Sequence, residues 1–145
     1  MAARAGRVTQ ALPCSELLEH TADVRVRIRA ESFGALATEA ARVLTRIEVG
    51  APPPPAGPWR VIEIRSADRA ALLVDWLNEL IFLAETERWV PADFEIVEAT
   101  ETVLRVRARG GVVEQAPARV KAATFSGLQI RAAPGGLEAE VVLDV

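Results

Sequence analysis

The strongest constraint on the fold is the presence of two segments in which apolar and polar residues alternate. In residues 24–29 every second residue is Val or Ile and every intervening one is Arg, and residues 137–143 alternate in a similar way. A period of two is typical of a β-strand with one buried and one solvated face. The chain therefore needs a sheet that is covered on one side and open to water on the other.

Two further segments have the three-to-four-residue spacing of helices. One helix is predicted over residues 33–47, with Ser32 as its N-cap. The other is predicted over residues 67–88, with Ser66 as its N-cap, and it is apolar around most of its circumference. This second helix should be the central and most buried one, with Trp76 in the core.

The remaining pattern predicts short strands joined by hairpin turns. They cover residues 59–65, 93–98, 102–109, 119–125 and 128–132, and Gly110-Gly111 is expected to break the fourth strand of the chain. About seven strands and two helices indicate an α+β fold, with two main helices packed on a largely antiparallel or mixed sheet. We expect a single domain over residues 1–145, with residues 1–14 as a loose leader and the proline-rich residues 50–58 as a surface loop.

Composition excludes several classes of protein. The net charge of −3 argues against a protein that grips nucleic acid over a broad basic face. Cys14 is the only cysteine, which excludes an intrachain disulfide and a cysteine-rich zinc site. No apolar run approaches the roughly 20 residues that a membrane span needs, and no signal peptide is recognisable. We expect a soluble cytoplasmic protein that does not bind membranes.

Two acidic positions could form a metal site if the fold brought them together. Asp144 lies beside the terminal carboxylate of Val145, and Asp23 stands just before the alternating segment near the other end. Carboxylate and carbonyl oxygens suit a hard divalent cation. On the residues alone, other roles stay open: Asp23 could cap a turn, and Asp144 could be an ordinary exposed residue.

No enzyme motif is present. The chain lacks a phosphate loop, a dinucleotide-binding glycine motif and a nucleophile elbow. His20 is the only histidine, so it alone could be a histidine general base; a structural role, or support of Asp23, is the alternative. A small metal-dependent hydrolase using Asp23 and Asp144, and a direct RNA-binding module, remain alternatives to a non-enzymatic protein.

The order of three motifs resembles the archease family. Residues 16–23, Glu-Leu-Leu-Glu-His-Thr-Ala-Asp, resemble the signature near the start of archeases, and residues 72–81 resemble their tryptophan-bearing helix. Residues 121–128 resemble their lysine-alanine-x-threonine segment, and the chain stops at Leu-Asp-Val as family members do. The resemblance therefore extends from residue 16 to residue 145.

The resemblance implies an accessory protein of the RNA ligase RtcB, which acts in tRNA splicing and RNA repair. Archeases promote guanylylation of this ligase, let it turn over repeatedly and can broaden its use of nucleotide cofactors. The family's divalent metal, calcium with magnesium or manganese as alternatives, would be held by Asp23, Asp144 and Val145. His20, Glu19 and Lys121 are the candidates for supporting the site or contacting the partner. No stable direct binding of nucleic acid is implied.

The sequence departs from the family pattern at three places. Glu19 stands where the family usually has Asp, and Phe125-Ser126 stands where it has Tyr or Trp followed by His. The first predicted helix carries Gly34-Ala35 where relatives tend to have acidic residues. These departures concern contacts with the partner more than the fold.

Overall fold

The computed structural model describes residues 12–18, 23–117, 120–124 and 129–145. In chain order the elements are β1 (Cys14–Leu18), β2 (Asp23–Ala30), α1 (Phe33–Val49), β3 (Ala56–Arg65), α2 (Arg69–Glu87), β4 (Trp89–Ala99), β5 (Val103–Val112), β6 (Ala122–Thr124), β7 (Ile130–Ala133) and β8 (Gly136–Asp144).

The strands form two antiparallel sheets. In the five-stranded sheet, β1 pairs with β2 and β2 pairs with β8, while β6 and β7 each pair with β8. The three-stranded sheet has the order β3-β5-β4. Each helix contacts strands of both sheets. The predicted fold class is confirmed, and the single predicted sheet is resolved into two.

The two alternating segments form strands with one buried face and one polar face, as their pattern predicts. In β2, Val26, Ile28 and Ala30 are buried, and the arginines between them lie on the other face. Strand β8 buries Ala139, Val141 and Leu143 in the same manner. The core faces of both strands then pack beneath the helices, and their polar faces stay together on the open side of the sheet.

Each helix begins at a side chain that caps it. Ser32 Oγ accepts a hydrogen bond from Ala35 N–H at 3.2 Å, as the sequence predicts. The predicted cap of α2 is wrong: Asp68 Oδ1 accepts from Ala71 N–H at 2.8 Å, and the Ser66 hydroxyl donates to Asp75 instead. Because Asp68 has the extended backbone that an N-cap requires, α2 begins two residues later than predicted.

The core lies where α1 and α2 meet the inner faces of the sheets. Trp76 is fully buried, as predicted, and its indole N–H donates to the carbonyl oxygen of Ala37 at 2.9 Å. Its ring meets Phe94 of β4 edge to face, with 6.4 Å between the ring centroids. Within the described residues, no helix is long and apolar enough to cross a membrane.

Two boundaries differ from the prediction because of contacts between distant residues. Gly110 and Gly111 do not break β5, which continues to Val112. A Cβ atom at Gly110 would overlap the carbonyl oxygen of Val90 on the paired strand, so glycine is needed for close approach. Strand β3 begins at Ala56, so the predicted loop over residues 50–58 is reduced to residues 50–55.

The start of the described chain also adds a strand. Residues 14–18 form β1, which begins at the last residue of the predicted leader. Residues 1–11 of that leader lie outside the described residues. The prediction of one domain over residues 1–145 stays a prediction.

Candidate functional site

The ends of β2 and β8 bring two carboxylates together. Asp23 begins β2, Asp144 ends β8, and the two are direct partners in the antiparallel register. Residues directly opposite each other in such a pair have Cα atoms roughly 4.5–5.5 Å apart and side chains on the same face. The neighbouring pair, Val24 and Leu143, faces the core, so the two aspartates share the open face.

Asp144 is fixed from both sides. On the edge opposite Asp23 it pairs with Ala122 of β6, and its carbonyl oxygen accepts a hydrogen bond from the N–H of Lys121 at 2.7 Å. The main-chain oxygen of Asp144 is therefore engaged in the sheet, and its side-chain carboxylate is the group available for a ligand. Val145 follows with 39% of its surface exposed.

A helix residue that the sequence analysis did not single out holds β6 in place. Asn78 of α2 donates through its side-chain N–H to the carbonyl oxygen of Ala123 at 3.1 Å, and its side-chain oxygen accepts from Ala123 N–H at 2.8 Å. A side-chain amide can satisfy both main-chain groups of one residue in this way. Asn78 thus positions the strand that flanks Asp144; its signal in the sequence is an amide within the largely apolar central part of α2.

The other candidate residues are partly outside the described structure. Lys121 is exposed at the start of β6, next to Asp144. Glu19 and His20 lie outside the described residues, as do Phe125 and Ser126, so their predicted roles remain predictions. Within the described ranges, no group of three or more His, Cys, Asp and Glu side chains is arranged to hold a metal ion.

The arginines of β2 form ion pairs across the open face of the five-stranded sheet. Arg25 and Arg27 contact Glu140 at 3.1 and 3.2 Å, and Arg29 contacts Glu138 at 2.8 Å. The run of arginines is therefore a solvated strand face matched by carboxylates of β8. The carboxylates of β8 thus offset most of the positive charge of the β2 arginines.

Glu138 is the most enclosed carboxylate of this face, with 12% of its side chain exposed. Burial alone would raise its pKa, but hydrogen bonds from Arg29 and Arg131 outweigh burial and hold the pKa below its ordinary value. Glu138 therefore stays ionised and keeps the arginines of β2 and β7 in place.

The donor set at Asp23 and Asp144 fits a hard divalent cation. Like charges directly opposite each other on adjacent strands repel, and a cation between them would relieve this repulsion. Calcium takes six to eight oxygen ligands and magnesium six, so water or other groups would complete the coordination of either metal. Asp23 and Asp144 would thus supply two charged ligands to such a site.

The part of the chain that carries these residues is similar to known proteins. Residues 16–145 match the Archease protein family (MTH1598/TM1083). The chain belongs to the archease family. A protein named archease from Methanosarcina mazei is 30% identical over 138 residues, covering 90% of this chain and 94% of the relative. An archease from Methanopyrus kandleri is 31% identical over 144 residues, covering 90% and 98%.

Solved structures of similar proteins agree with the fold. The solution structure of Methanobacterium thermoautotrophicum protein 1598 has a TM-score of 0.62 and 30% identity, and the match covers 90% of this chain and 98% of that one. A crystal structure from Thermotoga maritima, described as an archease and possible chaperone, has a TM-score of 0.64 at 22% identity, covering 88% and 94%. None of these names is that of an enzyme, in line with the expectation of a non-enzymatic archease.

Proposed function

We propose that this archease family member is an accessory activator of the RNA ligase RtcB. It would promote guanylylation of the ligase, support its multiple turnover and broaden its use of nucleotides, in tRNA splicing and RNA repair. The observation that supports the proposal is the direct pairing of Asp23 with Asp144 in the register of β2 and β8, because two carboxylates at one end of the sheet could hold a divalent cation. Family membership supports the choice of partner.

Asp23 and Asp144 would hold the divalent metal, most readily calcium, with Val145 contributing an oxygen. When bound, the metal would supply a concentrated positive charge that can orient carboxylate or phosphate oxygens of the partner. The chain's own part is to hold the carboxylates in fixed register. Strand β6 and the Asn78 side chain secure that register from the side opposite β2.

The paired arginine face supports a protein partner over a direct nucleic-acid ligand. Glu138 and Glu140 engage the arginines of β2, so the open sheet face offers little free positive charge. The exposed edge at Asp144 and Lys121 carries charges of both signs, which suits a polar protein contact. Glu19, His20 and Lys121 would be the residues that support the site or contact the partner.

The decisive experiment is multiple-turnover RNA ligation by RtcB from the same organism, with GTP and metal. Adding the wild-type protein should raise the number of ligations per ligase molecule. Asp23→Asn and Asp144→Asn keep side-chain size but remove charge, and each should abolish the stimulation while leaving the circular dichroism spectrum unchanged. Asp93→Asn, an exposed aspartate on β4, is the matched control and should stimulate normally.

Metal binding should be measured separately by calorimetric titration with Ca²⁺. Wild type and Asp93→Asn should bind, and Asp23→Asn and Asp144→Asn should bind at least tenfold more weakly. Stimulation that survives both substitutions would refute the role of the metal site. A ligase that turns over equally well with and without the protein would refute the proposed activity itself.

A further inference from the structure

A small cavity lies between the C-terminal end of α1 and the start of β4. Its volume is about 190 Å³, below the roughly 300–1,000 Å³ of typical ligand sites, so it suits a molecule of a few heavy atoms. We call it the α1–β4 cavity. Its walls are formed by Arg42, Thr45 and Arg46 of α1, by residues 50–52, and by Pro91 and Ala92 of β4.

The walls of the α1–β4 cavity are held by contacts of the chain that follows α1. Gly50 N–H donates to the carbonyl oxygen of Arg46 at 2.9 Å and ends the helix. Pro53 packs on Gly111 of β5, where an added Cβ atom would come within 3.0 Å of the Pro53 ring. Pro91 is buried in β4. A ligand therefore does not need to order this part of the chain in order to bind.

Arg42 brings a positive charge to the cavity that is only partly offset. Its guanidinium group lies over the ring of Phe94, 5.6 Å from the centroid, on the strand that forms the opposite wall. Among the described residues its one ion pair is with Glu39, at 3.8 Å, which is beyond hydrogen-bonding distance. Glu39 is also 3.7 Å from Arg46. One negative charge is thus shared by two arginines, and one positive charge remains in excess.

Other nearby charges do not cancel this excess. The C-terminal end of a helix carries only about half a negative charge, and the N–H of Gly50 already caps one of its carbonyl groups. Glu48 interacts with Glu85 of α2 and does not line the cavity. Asp93 lies opposite Arg109 in the register of β4 and β5. The cavity therefore favours an anion over a neutral or cationic ligand.

Thr45 contributes a hydroxyl group for which the fold provides no partner. Thr45 lines the cavity although it is only 2% exposed. Thr38 of the same helix donates to the carbonyl oxygen of Gly34 at 3.0 Å, whereas Thr45 forms no hydrogen bond with any of the described residues. An enclosed hydroxyl without a partner costs free energy unless a ligand or water satisfies it. The Thr45 hydroxyl is thus available to a ligand oxygen.

The remaining surface of the cavity is aliphatic. It comes from Ala51, Pro52, Pro91 and Ala92. A phosphate ion would leave this surface unfilled and would lose hydration on all sides, whereas a short alkyl chain would cover it favourably. The ligand that fits the whole lining therefore combines one small anionic group with a short apolar chain.

We propose that the α1–β4 cavity binds a small aliphatic carboxylate. Arg42 and Thr45 are three residues apart on α1 and are therefore neighbours on its surface. The carboxylate pairs with the Arg42 guanidinium and accepts a hydrogen bond from the Thr45 hydroxyl, and the alkyl chain lies against Pro91 and Ala92. No lining residue belongs to β2, β6 or β8, so the cavity is independent of the paired aspartates.

The test uses the full chain and three four-carbon probes, butyrate, 1-butanol and n-butylamine, with inorganic phosphate as a fourth. Nuclear magnetic resonance should show saturable shifts of the Thr45, Ala51 and Ala92 methyl signals with butyrate in the millimolar range. The other three probes should bind about tenfold more weakly or not at all, because each lacks either the carboxylate or the alkyl chain.

Three variants test the individual contacts. Arg42→Gln keeps a polar side chain without its charge, and should weaken butyrate binding about tenfold and remove the preference over butanol. Thr45→Val should weaken binding without lowering the urea midpoint, since the hydroxyl has no partner in the free protein. Ala92→Leu should fill the cavity and abolish binding. Arg65→Gln, an exposed arginine on β3, and Asp144→Asn are controls that should bind butyrate as wild type does.

Several outcomes would overturn the proposal. Equal shifts with butyrate and butanol, or an unchanged butyrate affinity in Arg42→Gln, would show that the charge of Arg42 does not select the ligand. No saturable shift with butyrate would show that the cavity does not bind this class of ligand, and tighter binding of phosphate would make it a site for inorganic anions instead. A lower urea midpoint in Thr45→Val would show that the fold itself uses the hydroxyl.

Discussion

At the scale of single residues, Glu48 is the most unusual ionisable group of the structure. It lies in the last turns of α1, and its Oε2 atom is buried without a hydrogen-bond partner among the described residues. Burial, together with the negative charge of Glu85 on α2, raises the pKa of Glu48 from 4.5 to about 8. The folded protein therefore retains a proton on Glu48 that the unfolded chain releases at neutral pH.

This difference makes stability depend on pH. Between pH 4.5 and about 8 the folded state holds one more proton than the unfolded state at this position. The contribution of Glu48 to the free energy of unfolding should therefore be complete below pH 4.5 and fall as pH rises toward 8, by up to about 1.4 kcal/mol per pH unit. Glu48→Gln should remove this fall and stabilise the protein at pH 8. Urea denaturation of wild type and Glu48→Gln at several pH values measures this pH dependence of the free energy of unfolding.

The control for this experiment is Glu101→Gln, which changes an exposed carboxylate with 74% of its side chain accessible. Its pH profile should follow that of wild type. If Glu48→Gln leaves the slope between pH 5 and 8 unchanged, the buried carboxylate does not hold the extra proton.

At the scale of secondary-structure elements, the contact of α2 with β6 stabilises the strand that pairs with Asp144 in the candidate site. Asn78→Ala removes both hydrogen bonds to Ala123 and leaves its main-chain groups without these partners. The expected loss of stability is about 1–3 kcal/mol, from two bonds of ordinary strength. Amide hydrogen exchange at Ala123 should accelerate more than exchange in β5.

Glu79→Ala, at the neighbouring position of α2, is the matched control and should leave exchange at Ala123 unchanged. Equal acceleration at Ala123 in both variants would show that helix propensity, and not the amide clamp, holds β6. Calcium binding by Asn78→Ala should also weaken, since Asp144 pairs with the same strand.

The elements that the sequence predicted well are those with a strong local period. The alternation in β2 and β8, and the apolar pattern of α2, depend on which face is buried, so they are visible in the residues themselves. Strand β1 was missed because it has only five residues and little alternation. The cap of α2 was misplaced because Ser66 and Asp68 are both suitable residues, and backbone conformation selects between them.

Other features depended on contacts that no local pattern contains. The glycines at 110 and 111 predict a break, but Gly110 is required by the carbonyl oxygen of Val90 in the paired strand. For the site, the residues suggested two carboxylates that could meet, and the family resemblance suggested a metal. The register of β2 with β8 shows the pairing of Asp23 with Asp144; binding of metal there stays a prediction.

At the scale of the whole molecule, both sheets share one core through the helices. Trp76 hydrogen-bonds to α1 and contacts Phe94 of the three-stranded sheet, while neighbouring residues of α2 pack on the other sheet. Trp76→Phe removes the hydrogen bond and leaves a cavity, and should cost about 2–4 kcal/mol. Because the core is shared, both sheets should lose this stability together in one unfolding transition.

Hydrogen exchange under mildly denaturing conditions checks this expectation, with β2 and β5 as reporters of the two sheets. Phe82→Ala is the control, since Phe82 is a large α2 side chain that is 54% exposed, and it should change stability by about 0.5 kcal/mol or less. A loss confined to the three-stranded sheet would contradict a single cooperative unit.

The pairing of Asp23 with Asp144 also has a consequence for folding kinetics. All elements from α1 to β7 lie within the loop that this contact closes, so its sequence separation is among the largest in the fold. Contacts of this kind are slow to form because their loop-closure entropy is lost before the contact stabilises the chain. A chain still emerging from the ribosome, without β8, cannot assemble the carboxylate pair. The two carboxylates are therefore paired only in a molecule in which β8 has already joined the five-stranded sheet.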